Sequence, residues 1–269
     1  GYKKNVDNYT ILRFPSRCTK VTNDWNVYAS GVYNDTEDDA GTIRSYTKNI
    51  LKVELPDTVK ELGVNAFGVG NWGAFNFSSL ERVKLSKNLS KIEEKLFLDC
   101  ENLKYVDMPE NITEIGAEAF SGCKELEGIT IPKGVKKIGD RSFADCTNIQ
   151  QINLPEGLEN IGRFAFDGTS LEEVVLPKSL SKIEGFAGCR NLKHIEIPDN
   201  ITEIDDYAFY GCFNLNIEIP KNITKIGSDA FVSCITLESI TIPEGVKEIG
   251  NSSFNGCTNI QQINLPEGL

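Results

Sequence analysis

Eight cysteines stand in a chain of 269 residues that has one histidine, His194. Clustered thiolates with histidine bind zinc, and a thiolate beside histidine can act as a nucleophile. Neither arrangement can be built from this spacing. Seven of the cysteines, Cys100, Cys123, Cys146, Cys189, Cys212, Cys234 and Cys257, follow one another in steps of about 23 residues, with Thr169 filling the one vacant step. Cysteine in that pattern reads as a small buried hydrophobe, reduced and stacked on its neighbours. Bridges between adjacent ones are disfavoured because the side chains run parallel. Cys18 is read as a core residue as well. His194 is placed at an exposed strand position near Lys193 and Glu196, which leaves it a surface residue.

Two further segments invite a chemical reading. Gly68-Val69-Gly70-Asn71-Trp72-Gly73 has the letters of a dinucleotide fingerprint. That motif must follow a strand and open a helix, and here it sits in an insert between Ala66-Phe67 and Ala74-Phe75. Trp72, Phe75 and Phe77 in the same insert are a candidate recognition loop, since large aromatics dominate interface hot spots. The competing reading has their rings packed as a cap over the first coils. Asn34 to Asp39 packs four carboxylates into a short run, without the spacing of a calcium-binding EF-hand loop. It reads as a solvated acidic loop. No metal site and no cofactor is expected.

The elements that position these residues repeat. Aligned from Leu103, the unit is L-x-x-V-x-M-P-x-x-I-x-x-I-G-x-x-A-F-x-x-C-x-x, with starts at Ile50, Leu80, Leu103, Leu126, Ile149, Leu171, Leu192, Leu215, Leu237 and Ile260. Pro56, Pro109, Pro132, Pro155, Pro177, Pro198, Pro220, Pro243 and Pro266 share position seven, and Ser86 replaces one. Pro15 joins them, because Tyr9, Leu12, Phe14, Cys18 and Val21 fit positions one, four, six, ten and thirteen. Internal periodicity of this length means a solenoid. Positions one to six predict a strand with positions four and six inward. Proline ends that strand because it has no amide hydrogen to donate. Gly63, Gly116, Gly139, Gly162, Gly227 and Gly250 at position fourteen suggest a backbone of positive φ. The A-F-x-x-C run predicts one helical or 3₁₀ turn. Phe97, Phe120, Phe143, Phe166, Phe186, Phe209, Phe231 and Phe254 would stack as a buried column.

The fold class expected is an α/β repeat solenoid. A parallel sheet of ten or eleven strands lines its concave face, and short turns, strands or 3₁₀ segments lie on the convex side. Residues 1–49 are read as a divergent N-terminal coil or cap with a long insert. Residues 50–269 are read as nine full coils and a truncated tenth, all in one continuous solenoid. Asn111, Asn200 and Asn222 open N-x-S/T triplets after the proline, where Asn and Thr are good turn formers. Cys257 to Leu269 repeats Cys146 to Leu158 letter for letter and stops in mid-repeat, so the expectation is either a natural protein that continues or an open edge that associates with a second copy or frays beyond Asn259. A net charge of −11, from 28 Lys and Arg against 39 Asp and Glu, argues against a nucleic-acid partner. No apolar run is long enough to span a membrane.

These motifs resemble the BspA-like class of leucine-rich repeats, strongly over about residues 50–269 and weakly over 9–49. The resemblance implies a right-handed superhelical arc, display at a cell surface or secretion, and adhesion to host or neighbouring-cell proteins. Contacts would come from the outward strand positions three and five on the concave face. These include Arg82, Lys84, Tyr105, Asp107, Thr130, Gln151, Asn153, Glu173, His194 and Glu196. The function expected is a non-catalytic protein-binding module, with a structural spacer carrying another domain as the alternative.

Overall fold

Three residues are enough to make a strand here, because each coil is pinned by identical neighbours above and below. The computed structural model describes residues 11–14, 16–21, 49–69 and 76–267. Tyr9, Pro15, the acidic run 34–39, Trp72, Phe75 and most of the glycine-rich run lie outside them. Front strands occupy positions three to five, as in Arg82–Lys84 and Tyr105–Asp107. Back strands of two residues occupy positions twelve and thirteen, as in Lys91–Ile92 and Glu114–Ile115. All strand pairs among the described residues are parallel and in repeat register, with Val53 on Val83 on Val106 and Ile92 on Ile115 on Ile138. Ile11–Arg13 extends the same stack, with Leu12 on Val53, and Val21 lies on Leu62. The weakly matching first coil is thus in the register its residues predict.

The ladder is not continuous, which corrects the expectation of one sheet. In front, Ile11–Arg13, Lys52–Glu54, Arg82–Lys84 and Tyr105–Asp107 form one piece. Glu173–Val175 pairs with His194–Glu196, and Ser239–Thr241 pairs with Gln262–Asn264. The coil from Leu126 has Gly128 at position three, where the lack of a side chain weakens a strand. The coil from Leu215 reaches Pro220 one residue early, so it cannot match both neighbours.

No helix occurs among the described residues, so the α part of the expected class is corrected. The A-F-x-x-C run is a pair of turns, with the Cys100 amide donating to the Phe97 carbonyl at 3.1 Å and the Leu98 amide to Lys95 at 3.0 Å. Left-handed residues recur at position sixteen (Lys95, Glu118, Arg141, Phe164) and at position twenty (Asp99, Gly122, Asp145, Gly168). A helix cannot propagate through a left-handed residue every fourth place.

The position-fourteen glycines do not take the positive φ expected of them. They are required by proximity. A Cβ on Gly116 would meet the Glu94 amide nitrogen at 2.6 Å, and one on Gly139 would meet that of Ala117 at 2.5 Å. Backbone of adjacent coils touches there. Acidic residues take the glycine position at Glu93, after the insert, and at Glu184 and Asp205, on either side of the two-residue loss around Gly185.

Between the ladders runs the core, one cluster of buried side chains from Val21 to Val246. Its axis is a column of rings from Phe67 to Phe254, with neighbouring centroids 5.2 Å apart at Phe120 and Phe143 and 6.5 Å at Phe186 and Phe209. The column starts one coil earlier than expected, at Phe67. Beside it stand the thiols. Cys123 donates to the Phe97 carbonyl at 3.2 Å, Cys146 to Phe120 at 3.1 Å and Cys212 to Phe186 at 3.0 Å. Each thiol therefore satisfies a buried carbonyl of the coil before it. Thr169 turns instead to its own coil, donating to Phe166 at 2.7 Å. Ser86, standing where proline is usual, donates to the Val59 carbonyl at 2.5 Å. The turn asparagines also tie coils, Asn200 to the Leu180 carbonyl at 2.5 Å and Asn222 to that of Ile201.

Candidate functional site

Alternation along a strand sends position four inward and positions three and five outward. Arg82, Lys84, Tyr105, Asp107, Thr130, Gln151, Asn153, Glu173, His194 and Glu196 are all exposed, including those in coils without an assigned front strand. Between them Val83, Ile129, Ile152, Val174 and Ile195 are buried, which fixes the backbone that carries the row. The outer face is therefore an array whose composition changes from coil to coil.

One end is a salt-bridged network. Glu54 accepts from both Arg13 and Lys52 at 2.6 Å, and these bonds, Lys52 first, hold its carboxyl below the usual range. The Arg82 guanidinium reaches Asp107 at 3.3 Å and lies 5.9 Å over the Tyr105 ring. The Tyr105 hydroxyl donates to Glu127 at 3.0 Å, and that bond pushes the phenol upward. Glu127, at position two, was not among the candidates read from sequence; its reach back to the preceding strand shows only in three dimensions. The basic end is consequently closer to neutral than its letters suggest, although Lys84 has no carboxylate within 4.0 Å among the described residues.

Thr130, Gln151 and Asn153 form an uncharged middle. Beyond them Glu173 lies beside His194, and Val175, 64% exposed, beside Glu196. An open groove of about 570 Å³ separates the middle from this strand, lined by Gln150 to Leu154 on one wall and by Glu172, Glu173, Val175 and Pro177 on the other. Farther on, Asn264 receives from Gln262 at 2.7 Å and donates to Thr241 at 3.1 Å.

Of the candidate recognition loop, Phe77 is buried completely, edge-on to Phe67 at 5.4 Å and 76°. It is a core residue and is not open to a partner, as the packing alternative has it. Trp72 and Phe75 lie outside the described residues. The cysteines are free thiols, and burial pushes the seven of the repeat ladder, Cys100 to Cys257, upward, Cys189 to about 12. A thiol so held does not supply the thiolate that nucleophilic or metal chemistry uses. Among the described residues no three His, Cys, Asp or Glu side chains are grouped to hold a metal ion, and no helix is long and apolar enough to cross a membrane.

Short parallel strands stacked coil on coil, each with one inward aliphatic residue, mostly valine or isoleucine, over a leucine-rich core, define a leucine-rich-repeat solenoid. The chain belongs to the BspA-type leucine-rich repeat family, whose pattern matches residues 69–185 and 184–269 in six copies. No curated protein matches it. Solved structures do. A leucine-rich cell surface protein of Faecalibacterium prausnitzii is 24% identical with a TM-score of 0.50, over 97% of this chain and 89% of that one. A leucine-rich repeat protein of Eubacterium ventriosum is 17% identical with a TM-score of 0.51, over 97% and 85%. The pneumococcal vaccine antigen PcpA is 19% identical with a TM-score of 0.53, over 95% and 78%. At these identities the likeness is one of fold.

Proposed function

We propose that this chain is a non-catalytic protein-binding module, secreted or displayed at a cell surface, that holds a protein partner against its front strand face as the concave side of an arc. The observation carrying this reading is the row of outward side chains from Arg82 to Glu196, mounted on a backbone whose intervening residues are buried, Val106 half-buried. Such a row lets chemistry vary by coil while spacing stays fixed. Similarity to a cell surface protein and to a vaccine antigen supports display outside the cell.

The test compares capture of surface proteins from neighbouring cells by the parent chain and by two variants. One carries Arg82→Glu, Tyr105→Ala and Asp107→Lys on the front face; the other carries Lys225→Glu and Glu248→Lys on the back ladder, where the parent pair lies at 3.1 Å. The front variant should lose a partner that the back variant retains. Equal capture by all three would sink the assignment to this face. Self-association through Gln262–Asn264 belongs to the same proposal, as an expectation about the edge of that strand. Sedimentation of Leu265→Glu against the parent checks it.

A further inference from the structure

Among the described residues, front and back ladders fail together at one joint only, between coil 149–170 and coil 171–191. In front, no ladder bond joins residues 151–153 to Glu173–Val175; behind, Asn160–Ile161 ends its sheet and Ile183 bridges onward to Ile204. At intact joints the position-six amide donates to the position-five carbonyl of the next coil. Leu55 reaches Lys84 at 3.0 Å, Leu85 reaches Asp107 at 3.2 Å, Leu176 reaches Glu196 at 3.3 Å and Ile242 reaches Asn264 at 2.8 Å. The equivalent Leu154 amide and Val175 carbonyl make no such bond. What still ties the joint is the Glu172 amide on Gln150 at 3.3 Å, the Phe166 amide on Gly185 at 2.9 Å, the Gly168 amide on Gly188 at 3.3 Å, the Ser179 hydroxyl on Leu158 at 2.6 Å, the Cys189 thiol on Phe166 at 3.2 Å, and the Phe166–Phe186 stack at 5.4 Å.

The groove of about 570 Å³ lies over this seam. That volume is in the range of pockets that hold a ligand of a few residues, roughly 300–1,000 Å³. Its apolar strip is Ile152, Leu154, Val175 and Pro177, and its polar walls carry the amides of Gln150, Gln151 and Asn153. Three carboxylates complete the lining and no Lys or Arg does. Glu172 is held by Lys193 at 2.8 Å, whereas Glu156 and Glu173 have no cation within 4.0 Å among the described residues. Uncompensated carboxylates exclude an anionic ligand and attract a cation. A strand edge with a free donor and a free acceptor suits extended main chain, with side chains alternating between apolar strip and charged wall.

We propose that the seam groove receives an extended segment of the partner protein bearing lysine or arginine. Its main chain bonds the Leu154 amide and the Val175 carbonyl, and its cations face Glu156 and Glu173. The inference rests on the reading of the front face as the binding surface and names the place and chemistry of one contact on it.

The test titrates the ¹⁵N-labelled chain with a blocked pentapeptide of valine alternating with lysine and arginine, and with the same peptide carrying glutamate at both charged positions. The cationic peptide should shift the Leu154 and Val175 amides saturably and the anionic one should not. Glu156→Gln with Glu173→Gln should weaken binding about fivefold or more, two exposed charge pairs being lost together. Glu203→Gln on the back ladder should change nothing. Absence of saturable shifts at those amides, equal response to both peptides, or unchanged affinity in the double variant overturns the inference. If that happens while the front-face triple variant still loses its captured partner, only the seam reading fails. If the triple variant also captures normally, both readings fail.

Discussion

Cys146 makes one weak bond, to the Phe120 carbonyl at 3.1 Å, in surroundings that are otherwise aliphatic and aromatic. Serine there has a shorter, more polar side chain that must desolvate its hydroxyl to occupy the same slot. Cys146→Ser should cost about 1–3 kcal/mol, read from chemical denaturation. Alkylation should find all eight thiols in denaturant and very few before it. Asp205 is the opposite case, a charge where the repeat uses glycine. Its Oδ2 is buried without a hydrogen-bond partner and Lys182 stands 4.0 Å from Oδ1. Burial first, then Glu184, raise this carboxyl above its ordinary value. A folded-state pKa above the unfolded one favours the fold at low pH, and that contribution is lost as pH rises through the folded value. Ionised Asp205 therefore opposes folding at neutral pH. Asp205→Asn should melt higher than the parent at pH 7, and the gap should close near pH 3.5, below the ordinary aspartate value of about 3.9. A gap that persists in acid would assign the gain to packing.

At the scale of the coil, two backbone demands alternate, and they predict opposite outcomes for glycine. Gly116→Ala drives a methyl into the Glu94, Glu93 and Ile92 backbone at 2.6–2.9 Å. It should destabilise by about 1–3 kcal/mol, because backbone cannot swing aside. Ser252, at φ 56°, is a left-handed residue with an exposed side chain. Ser252→Gly should stabilise by roughly 1 kcal/mol by removing the Cβ penalty. Thermal melts of the two variants should move to opposite sides of the parent. Spacing alone made the coil readable. Inward rows, phenylalanine column and thiol ladder all follow from residue type at a fixed period. At position fourteen, sequence shows that a Cβ is forbidden without showing by what, so close approach and positive φ look alike there. Phe67 escaped the column because the insert after it hides the coil's end. The breaks in the front ladder were least legible. Gln-Ile-Asn is a strand at 262–264 and not at 151–153, with identical letters around both. The difference lies in the coil alongside, Ser239–Thr241 in one case and the Gly128 coil in the other. Nor could the face's charge be read by letters, since Arg82, Tyr105, Asp107 and Glu127 neutralise one another across coils.

Over the whole molecule, stability is a sum of joints between neighbours, and the joints are unequal. The one between coils 149–170 and 171–191 keeps its rings but has lost both ladders. Hydrogen exchange reports such local opening directly. The amides of Ile152, Leu154 and Val175 should exchange faster than those of Leu85, Leu176 and Ile242, whose bonds at 3.2, 3.3 and 2.8 Å are intact. Uniform protection along the stack would remove the seam as a weak point. The seam also bears on mechanics. Pulled from its two ends, a stack of coils is a chain of links in series, each bearing the whole load, so the least tied link sets the force at which the molecule first yields. Among the described residues that link lies between Thr169 and Leu171, and the first event under tension is a parting there into two blocks, each still folded. Toughness of the described stack is thus fixed by one joint, and further coils tied as firmly as the rest would lengthen it without making it stronger.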